Sequence, residues 1–111
     1  MSAQILQVTP GELKAWLDDA ARPDPFLLDV RESWEVAICQ IDGSKSLPMG
    51  ELISRWPDLD PEQPTVVICH HGMRSLQVVH FLTRSGFKAT VNLRGGVAAW
   101  ADEVEPSMAR Y

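Results

Sequence analysis

Apolar residues occur in short runs separated by Pro, Gly and Asp, a pattern that predicts strands alternating with helices. Buried strands are predicted at 26–30, 65–68 and 90–93, with a shorter strand at 46–48 that ends at a proline. Each run is too short and too rich in branched or apolar side chains to favour a helix. These segments are therefore predicted to be the strands of an α/β fold.

Helices are predicted between these strands. Thr9, Pro10 and Glu12 form a capping box that opens a helix through about Leu17. Further helices are expected over 51–56, from the residues after Arg74 to Gly86, and after the glycine pair 95–96. Strands alternating with helices imply right-handed crossovers, so we predict a three-layer α/β fold with a mainly parallel central sheet and helices on both faces.

Bulk properties narrow the class of protein. The 111 residues suffice for a single domain, 1–111. Ten Lys and Arg against fifteen Asp and Glu give a net charge of −5, which disfavours binding to nucleic acid. The sequence has no basic leader followed by an apolar stretch and no run of about 18 apolar residues. A cytoplasmic protein without a membrane partner is expected.

The strongest chemical signal is the segment Cys69-His70-His71-Gly72-Met73-Arg74-Ser75, which follows a predicted strand and leads into a predicted helix. Amides at a helix N-terminus lack intrahelical partners and attract anions, so a thiolate at Cys69 is favoured there. Four residues separate Cys69 from Arg74, whereas cysteine-dependent phosphatases have five. The tighter loop suits a terminal sulfur better than a phosphoryl group.

Motifs along nearly the whole chain resemble the rhodanese family. Besides the loop, they are Leu27-Leu28-Asp29-Val30-Arg31-Glu32, Trp34-Glu35, Ile41-Asp42-Gly43-Ser44, Leu47-Pro48, Gly86-Phe87, Val91-Asn92-Leu93 and Gly95-Gly96-Val97-Ala98-Ala99-Trp100. The resemblance implies a single-domain, rhodanese-like sulfurtransferase. Such an enzyme moves a sulfane sulfur from thiosulfate or a persulfide donor to a thiol, a protein thiol or cyanide through a persulfide on Cys69. No metal or organic cofactor is expected.

The loop residues have assigned roles within this hypothesis. Arg74 is predicted to bind the anionic donor, since its planar fork matches sulfur oxyanions. His70, His71, Gly72, Met73 and Ser75 are predicted to line the substrate site, with Gly72 taking a positive φ. The competing interpretations are a merely buried Cys69, a solvated Arg74, and His70 and His71 as a base or metal ligands. The histidine spacing does not suit a closed zinc site.

Residues outside the loop have supporting roles. Asp29 and Arg31 are predicted to form an ion pair that fixes neighbouring loops. Trp16, Trp34, Trp56 and Trp100 are interpreted as core or hinge aromatics, and His80 as solvated. Where the family usually has Gly-His, this chain has Cys39-Gln40. Cys39 is interpreted as a packing residue, with a resolving thiol as the alternative, and no structural disulfide is expected.

Two other functions stay open. The ending 100–107, closing on Arg110 and Tyr111, is similar to rhodanese domains fused to enzymes that activate sulfur-carrier proteins. That similarity favours a relay module that delivers persulfide sulfur to a partner protein. A noncatalytic binding module is the second alternative, and the presence of both Cys69 and Arg74 argues against it.

Overall fold

The computed structural model describes residues 7–111 and shows an α/β fold built on one parallel sheet. Within this range the strands are β1 (Gln7–Val8), β2 (Phe26–Asp29), β3 (Lys45–Ser46), β4 (Thr65–Ile68) and β5 (Thr90–Leu93). The helices are α1 (Pro10–Asp18), α2 (Ser33–Ile38), α3 (Met49–Arg55), α4 (Met73–Arg84) and α5 (Gly96–Glu103). None of these helices is long and apolar enough to cross a membrane.

The sheet has the strand order β1-β5-β4-β2-β3, and all its neighbouring strands run parallel. Successive strand residues point to opposite faces, so Val66 and Val67 enter different apolar cores. Helices α1 and α5 cover one core through residues such as Leu13 and Trp100. Helices α3 and α4 cover the other through Leu52 and Leu82. The predicted three-layer α/β class is confirmed, and β4 and β2 lie inside the sheet.

Helix α1 begins as its sequence predicts. The Thr9 hydroxyl accepts the Glu12 amide at 3.1 Å, and the Glu12 carboxylate accepts the Thr9 amide at 2.8 Å. This reciprocal pair satisfies two amides that would otherwise lack partners at the helix start. Leu13 then points into the core and is fully buried.

Other boundaries differ from the predicted ones. Strand β3 covers Lys45–Ser46, whereas the predicted strand covers 46–48. Helix α3 begins at Met49 rather than at residue 51. Helix α2 and strand β1 were not predicted, because six and two residues are too few to show a period. Trp34 was predicted to be a core or hinge aromatic, and the core assignment is wrong: the residue lies on α2 and is 62% exposed.

The turn after β4 is hydrogen-bonded to the first turn of α5. The amides of Val97 and Ala98 donate to the carbonyl oxygens of Cys69 and His70 at 2.9 and 3.1 Å. Gly96 permits this approach, since a Cβ there would stand 2.3 Å from the Cys69 carbonyl oxygen and its φ is +62°. With its carbonyls bound to α5, the turn is fixed relative to the sheet.

We therefore expect Gly96→Ala to lower the free energy of unfolding by at least about 2 kcal/mol, because both the clash and the positive φ oppose a side chain. Gly50→Ala in α3 is the matched control, as nothing lies within 4 Å of its added Cβ. That change should be neutral or stabilising by up to about 1 kcal/mol. Urea titrations measure both, and equal stability of the two variants would contradict the packing argument.

Candidate active site

Cys69 follows the last residue of β4 and lies at the carboxyl end of the sheet, where ligands of open α/β folds bind. Its side chain belongs to the core shared by α3 and α4, and the residue is 1% exposed. Gly72 has a φ of +94°, as predicted, and this turns the chain so that its amide donates to Cys69 Sγ at 3.1 Å. The short loop thus folds around the sulfur.

Ser75, in the first turn of α4, supplies two further donors. Its amide lies 3.3 Å from Cys69 Sγ and its hydroxyl 3.1 Å from the same sulfur. Backbone and hydroxyl donors of this kind stabilise a thiolate more than a thiol. The sequence predicts that Ser75 lines the substrate site, and the structure places it in contact with the nucleophile itself.

Asn92 on β5 fixes the Ser75 hydroxyl and the loop together. Its Oδ1 atom accepts a hydrogen bond from Ser75 Oγ, while its Nδ2 donates to the Gly72 carbonyl at 3.1 Å. A hydroxyl carries a single proton, so Ser75 donates either to Asn92 or to the sulfur. A neutral thiol can donate to Ser75 Oγ while that hydroxyl donates to Asn92; ionisation of the thiol favours rotation toward Sγ.

Arg74 lies in an ion pair rather than free in the loop. Its two terminal nitrogens donate to the two Glu35 carboxylate oxygens at 2.8 and 2.9 Å. This bidentate contact is the main cause that lowers the pKa of Glu35 from its usual 4.5 to about 2. The Glu35 side chain is 4% exposed and that of Arg74 36%. The predicted anion-binding role of Arg74 stays a prediction, since a carboxylate now shares its guanidinium.

Arg31 is the second arginine of the site and is fully buried. It forms the predicted ion pair with Asp29, the closest N–O distance being 2.7 Å. It also donates to the backbone carbonyls of Glu35 at 3.3 Å and of Cys39 at 2.7 Å. Glu35 lies within α2, and Cys39 is the residue directly after it. Burial opposes its charge, but the hydrogen bonds that it donates to Asp29 and Tyr111 outweigh that cost and raise its pKa. The pair therefore joins β2 to α2.

The two loop histidines stack on each other, with ring centroids 3.9 Å apart. His70 also stacks on Tyr111 at 3.9 Å, and burial, together with the charge of His71, lowers the pKa of His70. Neither ring donates a hydrogen bond to Cys69 Sγ, whose donors come from Gly72 and Ser75. Their positions fit the predicted loop-lining role. Met73, at the outer edge of the same loop, is 71% exposed.

Cys39 lies apart from the nucleophile. It packs against the core of α1 and α5, on the sheet face opposite to Cys69. Both cysteines are free thiols, and Cys39 borders a cavity of about 120 Å³ whose lining includes His70 and Tyr111 but not Cys69. Within residues 7–111, no group of three or more metal-binding side chains comes together.

Three residues of the site were not identified as such from the sequence. Glu35 and Asn92 were noted only within motifs, and Tyr111 only as the end of the last one. Tyr111 contacts Arg31, which lies 80 positions earlier, so no local pattern could have joined them. Buried polar residues inside apolar runs, such as Asn92, were the available signal.

A thiol ringed by amide and hydroxyl donors at the end of a parallel strand defines a cysteine-based transfer site on an α/β scaffold. The family model described as "Rhodanese-like domain" matches residues 9–103. The chain therefore belongs to the rhodanese-like family.

Individual relatives agree. The "Putative sulfurtransferase YtwF" of Bacillus subtilis is 37% identical, and the match covers 93% of this chain and 97% of that protein. The "Probable adenylyltransferase/sulfurtransferase MoeZ" of Mycobacterium tuberculosis is 34% identical, but the chain spans only 26% of its length. The crystal structure of SSP1007 from Staphylococcus saprophyticus matches with a TM-score of 0.81 and 31% identity, covering 90% of this chain and 97% of that one.

The Glu35 pair predicts a pH-dependent stability. A folded-state pKa of about 2 against the usual 4.5 stabilises the fold above about pH 4.5, and this stabilisation is lost as the pH falls toward 2. Glu35→Gln has no ionisable carboxyl at this position and so loses this pH-dependent stabilisation. We expect it to cost about 2 kcal/mol at pH 7, less than the full linkage because Arg74 is partly solvated.

The measurement is the free energy of unfolding in urea at several pH values between about 7 and 2. The difference between wild type and Glu35→Gln should shrink on acidification. Glu51→Gln is the matched control, since Glu51 is exposed and its nitrogen partner on Arg55 lies 4.0 Å away. A constant difference across the pH range would mean that Glu35 stabilises the fold by packing alone.

Proposed function

We propose that the protein transfers a sulfane sulfur from thiosulfate or a related persulfide donor to a thiol or cyanide through a persulfide on Cys69. The observation that supports this best is the convergence of the Gly72 amide, the Ser75 amide and the Ser75 hydroxyl on Cys69 Sγ. Such a ring of donors stabilises an anionic sulfur. A reducing compartment such as the cytoplasm would keep this thiol free.

In the first half-reaction the Cys69 thiolate attacks the outer sulfur of thiosulfate. A new S–S bond forms as the original S–S bond breaks, and sulfite leaves with its electron pair. The Gly72 and Ser75 amides, which donate to Cys69 Sγ, are placed to stabilise negative charge on the transferred sulfur. No base is needed, since a thiolate attacks directly.

In the second half-reaction an acceptor nucleophile attacks the terminal sulfur of the persulfide. The S–S bond breaks, its electron pair returns to Cys69, and the thiolate is restored in a ping-pong scheme. With cyanide the product is thiocyanate, and with a thiol it is a new persulfide. The chain's own side chains complete both steps without a metal or an organic cofactor.

Arg74 contributes through its pair with Glu35. Because Glu35 neutralises the guanidinium, we propose that the loop amides hold the anionic donor and that Arg74 fixes the start of α4. That position determines where the Ser75 amide points. The earlier hypothesis of direct anion binding by Arg74 is an alternative that kinetics can separate.

A protein acceptor is the second candidate function. The adenylyltransferase/sulfurtransferase relative supports it, and so does the exposure of Trp34 and Met73, which flank the paired residues Glu35 and Arg74. Exposed aromatic and Met side chains favour protein contacts. A noncatalytic role has no supporting feature, because the nucleophile and its donors are all in place.

The first test concerns the nucleophile. Cys69→Ser should abolish thiocyanate formation from thiosulfate and cyanide, since the hydroxyl cannot form a persulfide. Cys39→Ser is the matched control and should keep most of the activity, because Cys39 lies on the other face of the sheet. Intact mass spectrometry after thiosulfate exposure should show one added sulfur in wild type and Cys39→Ser only.

Equal loss of activity in both folded cysteine variants would show that the thiols act as a pair. An aryl phosphate serves as a second substrate in the same assay. Phosphate release comparable to sulfur transfer, and lost in Cys69→Ser, would favour a phosphatase instead.

The second test separates the two roles of Arg74. Arg74→Ala should lower kcat/KM by roughly ten- to a hundredfold, the effect of losing charge-assisted hydrogen bonds of about 1.5 to 3 kcal/mol. Arg74→Lys should recover only part, because an ammonium cannot contact both Glu35 oxygens as the fork does. If Arg74 acts by positioning, the loss is similar for thiosulfate and for an uncharged persulfide donor.

A loss confined to thiosulfate would contradict positioning and show direct binding of the anion. Arg55→Ala is the matched control, because this exposed arginine pairs with the carboxylates of Glu51 and Asp58, which lie outside the active loop. Its kinetics should equal those of wild type with both donors.

A further inference from the structure

Tyr111 returns to the active loop from the far end of α5. The segment 104–111 that carries it is anchored by Met108, which is 7% exposed in the core of α1 and α5. Arg110 adds an ion pair with Asp102 and a 3.3 Å hydrogen bond to the Ala101 carbonyl. Tyr111 is therefore held in place before it makes any contact with the site.

The Tyr111 hydroxyl connects the two arginine pairs. It accepts a hydrogen bond from Arg31 Nη1 at 2.9 Å and donates to Glu35 Oε1 at 2.8 Å. The same Oε1 accepts from Arg74 Nη2 at 2.9 Å. The hydroxyl thus contacts the same carboxylate oxygen as Arg74 and helps to orient the carboxylate that holds Arg74.

The Tyr111 ring contacts the loop itself. It stacks on His70 with 3.9 Å between centroids and 16° between planes. His70 is the residue directly after the nucleophile, and its other face stacks on His71. The edge of Trp34 packs against Tyr111 at 5.8 Å. Tyr111 therefore contacts one end of the loop directly, at His70, and is connected to the other end, at Arg74, through the Glu35 carboxylate.

We propose that Tyr111 is a positioning residue for sulfur transfer, which keeps the loop closed around Cys69 by stacking on His70 and by orienting Glu35 toward Arg74. The proposal rests on the function proposed above and deepens it. Sulfur transfer needs the loop amides aimed at one small volume, and a shift of a fraction of an ångström weakens such donors. Tyr111 influences the orientation of these amides without contacting the sulfur.

Two substitutions divide the contribution of Tyr111. Tyr111→Phe keeps the ring and removes the hydroxyl, and should lower kcat/KM for thiosulfate by about two- to tenfold. Tyr111→Leu also removes the stacking and should lower it by about tenfold or more. Thr90→Val is the matched control: it removes a buried hydroxyl that has no hydrogen-bond partner within residues 7–111, so activity should not change.

A double-mutant cycle distinguishes positioning from a general loss of stability. If the hydroxyl acts through the carboxylate, Tyr111→Phe should cost less than about twofold in a Glu35→Gln background. The Thr90→Val change should combine additively with Glu35→Gln. Full additivity of Tyr111→Phe with Glu35→Gln would overturn the route through Glu35.

The rate at which iodoacetamide alkylates Cys69, read by peptide mass spectrometry, tests the proposal without turnover. Cys69 is 1% exposed, so a loosened loop should react about twofold or more faster in both Tyr111 variants. A wild-type protein that transfers no sulfur, with faster alkylation in the variants, would refute the proposed function and leave the positioning role standing. Unchanged alkylation and unchanged kcat/KM in both folded variants would refute the positioning role.

Discussion

A fully buried guanidinium is the constraint on which the site depends. Arg31 has five N–H donors and no contact with water, so each donor needs an acceptor within the protein. Asp29 takes the contacts from Nε and one from Nη2, and the carbonyls of Glu35 and Cys39 and the Tyr111 hydroxyl take the rest. Satisfying this one charge therefore fixes the end of β2, helix α2 and the segment that carries Tyr111.

The buried arginine begins a row of charges that alternate in sign toward the nucleophile. Asp29, Arg31, Glu35 and Arg74 follow one another, each in contact with the next directly or through Tyr111. The hydrogen bonds to Glu35 are the main cause that raises the pKa of Arg74, and Cys69 on the other side of Arg74 adds a smaller contribution of the same sign. Alternation lowers the cost of burying each member. The ion pair between Arg74 and Glu35 therefore stabilises the position of the loop in addition to any part that Arg74 plays in catalysis.

The parts that could be predicted from sequence have local causes. The capping box at Thr9, the branched run before Cys69 and the glycine at position 72 each determine structure within a few residues. Helix α2 was missed because its six residues are partly exposed and bury chiefly a carboxylate, Glu35. Arg74, predicted from the sequence to bind the anionic donor, is also paired with that carboxylate, 39 positions away. No period or spacing reports contacts between residues so distant in sequence, so the ion-pair row required the fold.

The two thiols of the chain lie on opposite faces of the sheet. Cys69 faces α4, while Cys39 packs with α1 and α5 on the other side. The strand between them, residues 65–68, is buried throughout. Cys39 nevertheless lines a cavity with His70, the residue directly after Cys69, so the two thiols approach the same edge of the sheet from different faces. Because the donors to Cys69 Sγ within residues 7–111 come from Gly72 and Ser75, the surroundings of the nucleophile are built without Cys39.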